Sequence, residues 1–535
     1  MTRVRVIGIA LFAACGAVSA LHAQVKERPL PRLEKKDGRY ALIVDGAPFL
    51  MLGAQAHNSS AWPAMLPKVW PAIEYLHANT LEIPIYWEQF EPHEGQFDYS
   101  AIDTILTQAR EHHVRLDLLW FGTWKNGSQH YMPEWMKLKP EVYTHLVDKN
   151  GHLADSPSPF CTASMQADMR AFTAFMRHLK AADPDRTVLL VQVENEAGTW
   201  GPVRDYSPEA QKLFASAVPA EVLAAMGKPA ASATWQETFG SEAEVDFHAW
   251  AVSRYVQKVA AAGKAVYPLP LYANAALRDP LKPGAPGSYE SGGPTDNVIP
   301  IWKAEAPALD IVSPDIYLND PAAYLKVLNL YHRDDNPLFV PETSGGAAVA
   351  RFCFSALGRQ AIGYSPFGLD YSVVPPTREG AAASVDRFLD PTAQNYKLLA
   401  PMMRDIAKLN FEGKLQAVAE EKGTPAQSLP FGSWTANVSY GGGRGVRTPA
   451  GNPEPEGRIL VAQLKDNEFL VAGYFCTVDF TPADASRHRQ FLRVEEGKYE
   501  NGVFKFIRIW NGDETDFGLN FHSEPTVLRV SLATY

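Results

Sequence analysis

Cysteine is scarce. The 535-residue chain has four, and one of them, Cys15, lies in its first apolar stretch. Cys161, Cys353 and Cys476 are too few and too far apart for a disulfide framework or a zinc set, which leaves one disulfide or buried free thiols open. No HExxH occurs, and His112-His113 and the other histidines lack metal spacing. No metal or organic cofactor is therefore implied. Positive charge is in deficit, with Lys plus Arg at 50 against Asp plus Glu at 60, a net −10. Such a surface repels phosphate backbones and argues against nucleic-acid binding. Beyond the N-terminal stretch no apolar run reaches about 18 residues, so no integral membrane segment is expected. Internal repeats and long low-complexity tracts are also missing. Gly441-Gly442-Gly443-Arg444-Gly445 looks like a phosphate loop only superficially, because Thr448-Pro449-Ala450-Gly451-Asn452-Pro453 follows it instead of a helix.

What is present is globular: 46% hydrophobic and 21% charged residues over a length that allows more than one core. The 12 Trp and 21 Tyr suit cores and interfaces, and they also suit stacking on sugar rings. Residues 1–23 have the order of a secretory signal. Arg3 and Arg5 precede the apolar run Val6 to Ala14, and Val18-Ser19-Ala20 and Leu21-His22-Ala23 each end in a small residue. Export to the periplasm or the extracellular space is expected. Lipoprotein anchoring through Cys15 is the weaker alternative, since Phe12 stands where a small aliphatic residue is required.

Tyr40 to Val44 meets an Asp45-Gly46 turn and then Phe49 to Gly53, a hairpin signal. Eight strand-like runs follow one another: Leu50 to Gly53, Thr80 to Trp87, Leu116 to Phe121, Val188 to Val193, Leu269 to Ala273, Ile311 to Tyr317, Leu338 to Val340 and Ala361 to Phe367. Helical patterns lie between them. Ser100 and Asp103 read as a capping box before the stripe Ile102, Ile105, Leu106, Ala109. Met165, Met169, Phe172, Met176 and Leu179 form a second stripe, Asp320-Pro321 opens a third helix, and Ser384 to Leu409 is helical. This alternation predicts an α/β chain with a (β/α)8 TIM barrel over 24–410, carrying a helical insertion at Tyr206 to Ala262. Helical periodicity fades after Asn410. Gly457 to Leu464, Glu468 to Phe480, Gly502 to Trp510 and Thr526 to Leu532 read as strands, so 411–535 is expected to be a β-sandwich-like domain.

Barrel active sites sit at the C-terminal strand ends. Strand four, Val188 to Val193, runs into Glu194-Asn195-Glu196, and strand seven, Leu338 to Pro341, runs into Glu342. A bare carboxylate at the end of a buried strand is costly unless it is hydrogen-bonded or working. If the strand extends that far, alternation predicts that Glu194 and Glu196 point the same way and Asn195 the other. Two carboxylates facing across a barrel mouth suit glycoside hydrolysis, with about 5–5.5 Å between them for retention and about 6.5–9.5 Å for inversion.

Val191-Gln192-Val193-Glu194-Asn195-Glu196 resembles the V-Q-x-E-N-E signature of glycoside hydrolase family 35, retaining β-galactosidases. Trp87 to Asp98 is similar to that family's strand-two exit. The resemblance covers Tyr40 to Asn410 and implies that Glu196 is the acid/base and Glu342 the nucleophile, with Asn195 on the sugar 2-hydroxyl and Tyr317 against the nucleophile. The C-terminal domain looks like the β-domain of a bacterial branch. The chain departs from the family pattern at Pro84 with Tyr86, at Gly122-Thr123-Trp124, and at His57-Asn58-Ser59-Ser60. These departures bear on sugar specificity and leave the retaining chemistry in place.

Each candidate has a structural alternative. Asn195 could cap the strand end, Tyr317 could be a core residue, and Glu194 competes with Glu196 but reads better as buried and orienting. Trp87, Trp124 and Trp200 are sugar platforms or loop packing, and His57 stands evenly between ligand and scaffold. The expected function is retaining, exo-acting hydrolysis of terminal β-D-galactose from oligo- or polysaccharides such as xyloglucan fragments. Another retaining clan member (β-glucosidase, β-mannosidase or endo-glycanase) is the alternative, and a catalytically dead carbohydrate-binding barrel is the non-enzymatic one. The expected partner is carbohydrate. Oligomeric state is left open, a homo-oligomer included. A bell-shaped pH–rate profile with a slightly acidic optimum follows from the acid pair.

Overall fold

The computed structural model describes residues 28–230, 232–372, 379–441 and 450–535, without the side chains of 379–387. The expected signal segment, Cys15 and most of the 441–445 glycine cluster lie outside the described residues. A three-stranded antiparallel sheet opens the chain, with Arg32–Lys36, Arg39–Val44 and Ala47–Phe49 in order. Val44 pairs with Ala47 around Asp45 (φ 53°) and Gly46 (φ 81°), the two left-handed residues that a tight hairpin needs.

The barrel has eight parallel strands: Met51–Gln55, Thr80–Tyr86, Arg115–Lys125, Val188–Asn195, Leu271–Ala276, Ile311–Ile316, a divided seventh, and Gly363–Tyr364. Pro341, which has no N–H to donate, splits the seventh into Phe339–Val340 and Glu342–Thr343. Its first half pairs with strand eight (Phe339 with Gly363) and its second with strand six (Glu342 with Asp315). Strand eight pairs with strand one (Gly363 with Met51), which closes the ring. The strands are apolar and buried on both faces, as parallel barrel strands must be.

Helix Ser100–Glu111 buries the expected stripe, but the expected capping box is not formed. Asp98 accepts the Ser100 N–H at 2.9 Å instead, and Asp103 binds His178. Asp320 does cap its helix, accepting the Ala322 N–H. The expected insertion divides into two parts. Three short helices, Pro208–Phe214, Ala220–Ala225 and Trp235–Phe239, are additions, whereas Ala243–Val266 is the barrel's own helix after strand four. It packs against Thr162–Ala182 so closely that a Cβ at Gly263 would stand 2.3 Å from the Phe172 ring.

From Leu415 the chain forms a six-stranded and a four-stranded antiparallel sheet. Leu429, Trp434, Val438, Ile459, Val461, Phe469 and Val471 fill the space between them. The alternate residues Leu460, Ala462, Leu470 and Ala472 face the other way and join the barrel's core. Arg458 ties the two layers, donating Nε to Asn395 Oδ1 at 2.8 Å. Cys161, Cys353 and Cys476 are buried free thiols. Among the described residues no helix is long and apolar enough to cross a membrane.

Candidate active site

The strand-four exit is built on two unusual backbone conformations. Glu194 (φ 65°) and Glu196 (φ 44°) are left-handed, which non-glycine residues adopt rarely and mostly at functional sites. Gln192, inside the barrel, donates Nε2 to the Glu194 carbonyl at 2.8 Å and holds the turn. The bend overturns the expected alternation, and Glu194 and Glu196 diverge. Glu194 accepts the Trp124 N–H at 2.7 Å and lies beside Asp168 of helix Thr162–Ala182. Burial first, then the Asp168 charge, pushes its carboxyl well above the usual range. It is an anchor of the strand end, as expected, and not a second group at the mouth.

Glu196 instead meets strands five to seven. Its N–H donates to Asn274 Oδ1 at 2.9 Å, and Asn274 Nδ2 donates to Asp315 Oδ2 at 2.6 Å. One carboxylate oxygen from each of Glu196, Asp315 and Glu342 lies within 4.8 Å of the other two, so the three groups converge on one point. Glu342 receives two donors, Tyr317 OH at 2.6 Å and Gln55 Nε2 at 3.1 Å. Burial, reinforced by the Glu342 charge and opposed by Lys125, pushes Glu196 up to about 7. Glu196 is thus set to hold a proton near neutrality. An ion shared by the three carboxyls, the one such cluster found among the described residues, would fill the space an anomeric centre needs.

The structure gathers Asn195, Tyr317, Glu196 and Glu342 at one mouth. Asn195 accepts from Lys125 Nζ at 2.8 Å, and its buried Nδ2 has no partner. His57 stands two residues past Gln55, held by Asp370 at 2.9 Å through Nδ1 and facing Phe367 of the strand-eight exit. Trp200 is 53% exposed and lies against Gly127. Two expected platforms are corrected. Trp87 is fully buried, bonds Glu91 at 2.8 Å and packs on Trp120. Trp124 is 1% exposed and packs edge-on against Tyr255. Trp87 directly follows strand two and Trp124 is the penultimate residue of strand three, and both rings are buried among other aromatic side chains.

Gln55, Lys125, Asn274, Asp315 and Glu290 were missed in the sequence. Period-two alternation back from Tyr317 would have found Asp315. Glu290 sits in the loop after strand five, 2% exposed, with both carboxylate oxygens unpartnered, and no pattern marks it. Burial and the nearby Glu196 charge push it well above the usual carboxyl range.

Residues 71–265 match the family model of glycoside hydrolase family 42, described as Beta-galactosidase. Residues 392–522 match a model described as Domain of unknown function (DUF5597). The resemblance to family 35 is therefore corrected to family 42 over the matched segment, and the C-terminal region is matched to a domain of its own. The reason is physical: Asn-Glu ending strand four serves the same chemistry across the wider clan, so six residues at a strand end cannot separate its families. No curated protein sequence matches the chain. Among solved structures, a β-galactosidase from Bacillus circulans sp. alkalophilus is similar with TM-score 0.51 and 10% identity, over 90% of this chain and 99% of that one. A β-galactosidase from Rahnella sp. R3 gives TM-score 0.49 and 15% identity, over 68% of this chain and 58% of that one. This chain thus spans less than two thirds of the Rahnella enzyme. At these identities the likeness is one of fold.

Proposed function

We propose that the chain is a retaining glycoside hydrolase of the β-galactosidase type, acting from the end of a glycan to release β-D-galactose. The observation that carries this reading is the facing pair Glu196 and Glu342, with an oxygen of each within 4.8 Å, Glu196 pushed up to about 7 and Glu342 held by Tyr317 and Gln55. The family 42 match over 71–265 supports the reaction class.

Glu196 gives its proton to the glycosidic oxygen while the Glu342 carboxylate attacks the anomeric carbon. The aglycone leaves, and a covalent galactosyl ester forms on Glu342. Glu196, now ionised, takes a proton from water. The resulting hydroxide equivalent attacks the same carbon, Glu342 leaves as carboxylate, and Glu196 is protonated again. Asn195, with its amide N–H group unpaired, serves the 2-hydroxyl, and Tyr317 steadies the nucleophile. His57 flanks the galactose, and Trp200 the leaving-group side. Galactose-bearing side chains of a decorated polysaccharide, such as xyloglucan fragments, are the substrate we favour, and the departures at Pro84, Gly122 and Asn58 are where that preference would reside. Catalysis is placed in 24–410, with 411–535 as a β-domain packed on the barrel. Residues 1–23 are read as an export signal.

A 2-fluoro-β-galactoside that traps the ester tests the pair. Mass spectrometry is expected to find the label on Glu342, and NMR to show β-galactose as the first product. Labelling elsewhere, or α-galactose first, would refute the reading. Faster turnover of aryl β-glucoside than of aryl β-galactoside would keep the mechanism and change the sugar.

A further inference from the structure

Retaining hydrolysis needs two carboxyls, and this mouth has three. Asp315, on strand six, is 2% exposed. Its Oδ2 accepts from Asn274 Nδ2 at 2.6 Å, whereas its Oδ1 is buried without a partner. The same Asn274 accepts the Glu196 N–H at 2.9 Å, so one amide fixes both the Asp315 carboxyl and the Glu196 backbone. Three carboxyls within 4.8 Å cannot all be ionised in a buried site. The donors are distributed unequally. Glu342 has two, Tyr317 and Gln55, and Asp315 has one, Asn274, while the Glu196 carboxyl lies within hydrogen-bonding reach of Asp315 itself.

We propose that Asp315 is a positioning residue that remains a neutral carboxylic acid through the catalytic cycle and donates its O–H to the Glu196 carboxyl. The inference rests on the retaining reading above. No bond to sugar forms or breaks at Asp315, and its proton is not transferred. When Glu196 gives up its own proton to the leaving oxygen, the Asp315 hydrogen bond becomes charge-assisted and therefore stronger. The stabilisation appears as the glycosidic bond breaks, which is where it lowers a barrier. The groups facing Asp315 agree with this assignment. Glu196 and Glu342 oppose its ionisation, Lys125 is the one charged group that favours it, with the Asn274 amide as a neutral donor beside it, and the hydroxyls of Tyr317, Tyr272 and Tyr331 complete the surround. Burial adds to the same side and keeps the carboxyl well above its ordinary range.

Asp315→Asn keeps the volume and an N–H donor but cannot ionise. If Asp315 is already neutral, D315N retains kcat/KM to within about tenfold and leaves the alkaline limb of its pH profile in place. If Asp315 is ionised in the resting enzyme, D315N removes a negative charge beside Glu196, makes Glu196 a stronger acid, and moves that limb to lower pH by about one unit or more. That shift would overturn the proposal. Asp315→Ala deletes the donor. Its expected loss, roughly 100-fold, falls on substrates whose leaving group needs protonation and largely spares activated aryl galactosides. Equal losses on both would also overturn it.

Thermal unfolding separates this inference from the retaining reading, because it needs no turnover. A carboxyl held neutral when folded ionises near pH 4 when unfolded, so it weakens the fold progressively as pH rises above that value. The Tm of D315N minus that of the parent is therefore expected to grow between pH 4 and 8. A flat difference would mean that Asp315 is ionised in the fold. Should D315N not fold, Asp315→Ser, which keeps a neutral donor, is read by the same two measurements.

Discussion

Lys125, near the end of strand three, donates Nζ to the side-chain oxygen of Asn195 at 2.8 Å, so strand three fixes a side chain at the strand-four exit. The same ammonium lies close enough to Glu196 to oppose the upward pull of burial and of Glu342 on its carboxyl. Lys125→Met removes both effects. Asn195 loses a buried partner, and kcat/KM is expected to fall roughly tenfold, the equivalent of about 1.4 kcal/mol. The sign of the pH effect is fixed. Without the cation the protonated form of Glu196 is favoured, its titration moves above about 7, and the alkaline limb moves up with it. A limb that stays in place or moves to lower pH would show that Lys125 does not act on the acid.

Trp200 stands 53% exposed at the mouth, against Gly127 and beside the buried Glu290. It is the one tryptophan of the three expected platforms that can meet a sugar. A stacked aromatic is worth about 0.5–1.5 kcal/mol beyond its buried area. Trp200→Ala is therefore expected to raise KM for a galactosylated oligosaccharide by several-fold, with little change for an aryl galactoside and none in Tm. Equal effects on both substrates would place Trp200 outside the leaving-group side.

Gly263 faces Phe172 where two barrel helices touch, and an added Cβ would stand 2.3 Å from the ring and 3.0 Å from Met176 Cγ. Helix propensity alone would favour Gly263→Ala by about 1 kcal/mol. Overpacking a closed core costs about 1–3 kcal/mol. Phe172 is fully buried and has nowhere to turn. Net destabilisation of about 1 kcal/mol is expected by denaturant unfolding, with an unchanged m-value, and a stabilised variant would contradict the packing argument.

The barrel was legible in the sequence because both signals it depends on are local. Apolar runs such as Thr80–Tyr86 mark strands buried on both faces, and stripes such as Ile102, Ile105, Leu106, Ala109 mark helices lying on them. The carboxylates at the ends of strands four and seven were legible for the same reason, since each follows such a run, whereas the choice of Glu196 over Glu194 came from the resemblance of the strand-four motif. What failed needed three-dimensional information. Trp87 and Trp124 have the composition of platforms, and only the direction of the ring buries them. Gln55 and Asn274 are single polar residues in strands, and their meaning lies in partners on other strands, Glu342 and Asp315. Strand Ala426–Phe431 lies at a sheet edge and buries only Leu429 and Phe431, so it carries little periodic signal, whereas its neighbour Trp434–Ser439 alternates strictly and is marked by that period.

Gln192 explains why the strand-four motif carries glutamine two residues before Glu194. Its side chain is inside the barrel, 1% exposed, and its amide donates to the Glu194 carbonyl at 2.8 Å. That bond holds a left-handed residue, φ 65°, in a conformation that costs about 1–3 kcal/mol without support. Gln192→Leu keeps the volume and deletes the donor. A lost buried hydrogen bond amounts to about 1 kcal/mol of stability, so the fold survives and Tm falls by a few degrees. The larger effect is expected on chemistry. With the turn loosened, Glu194 and Glu196 are free to regain ordinary strand alternation, and the Glu196 carboxyl leaves its place opposite Glu342. Loss of kcat on substrates that need acid assistance, with activated aryl galactosides largely spared and KM little changed, is the expected pattern. A variant that loses stability but keeps kcat on both substrate types would mean that Gln192 fills the barrel without aiming the acid.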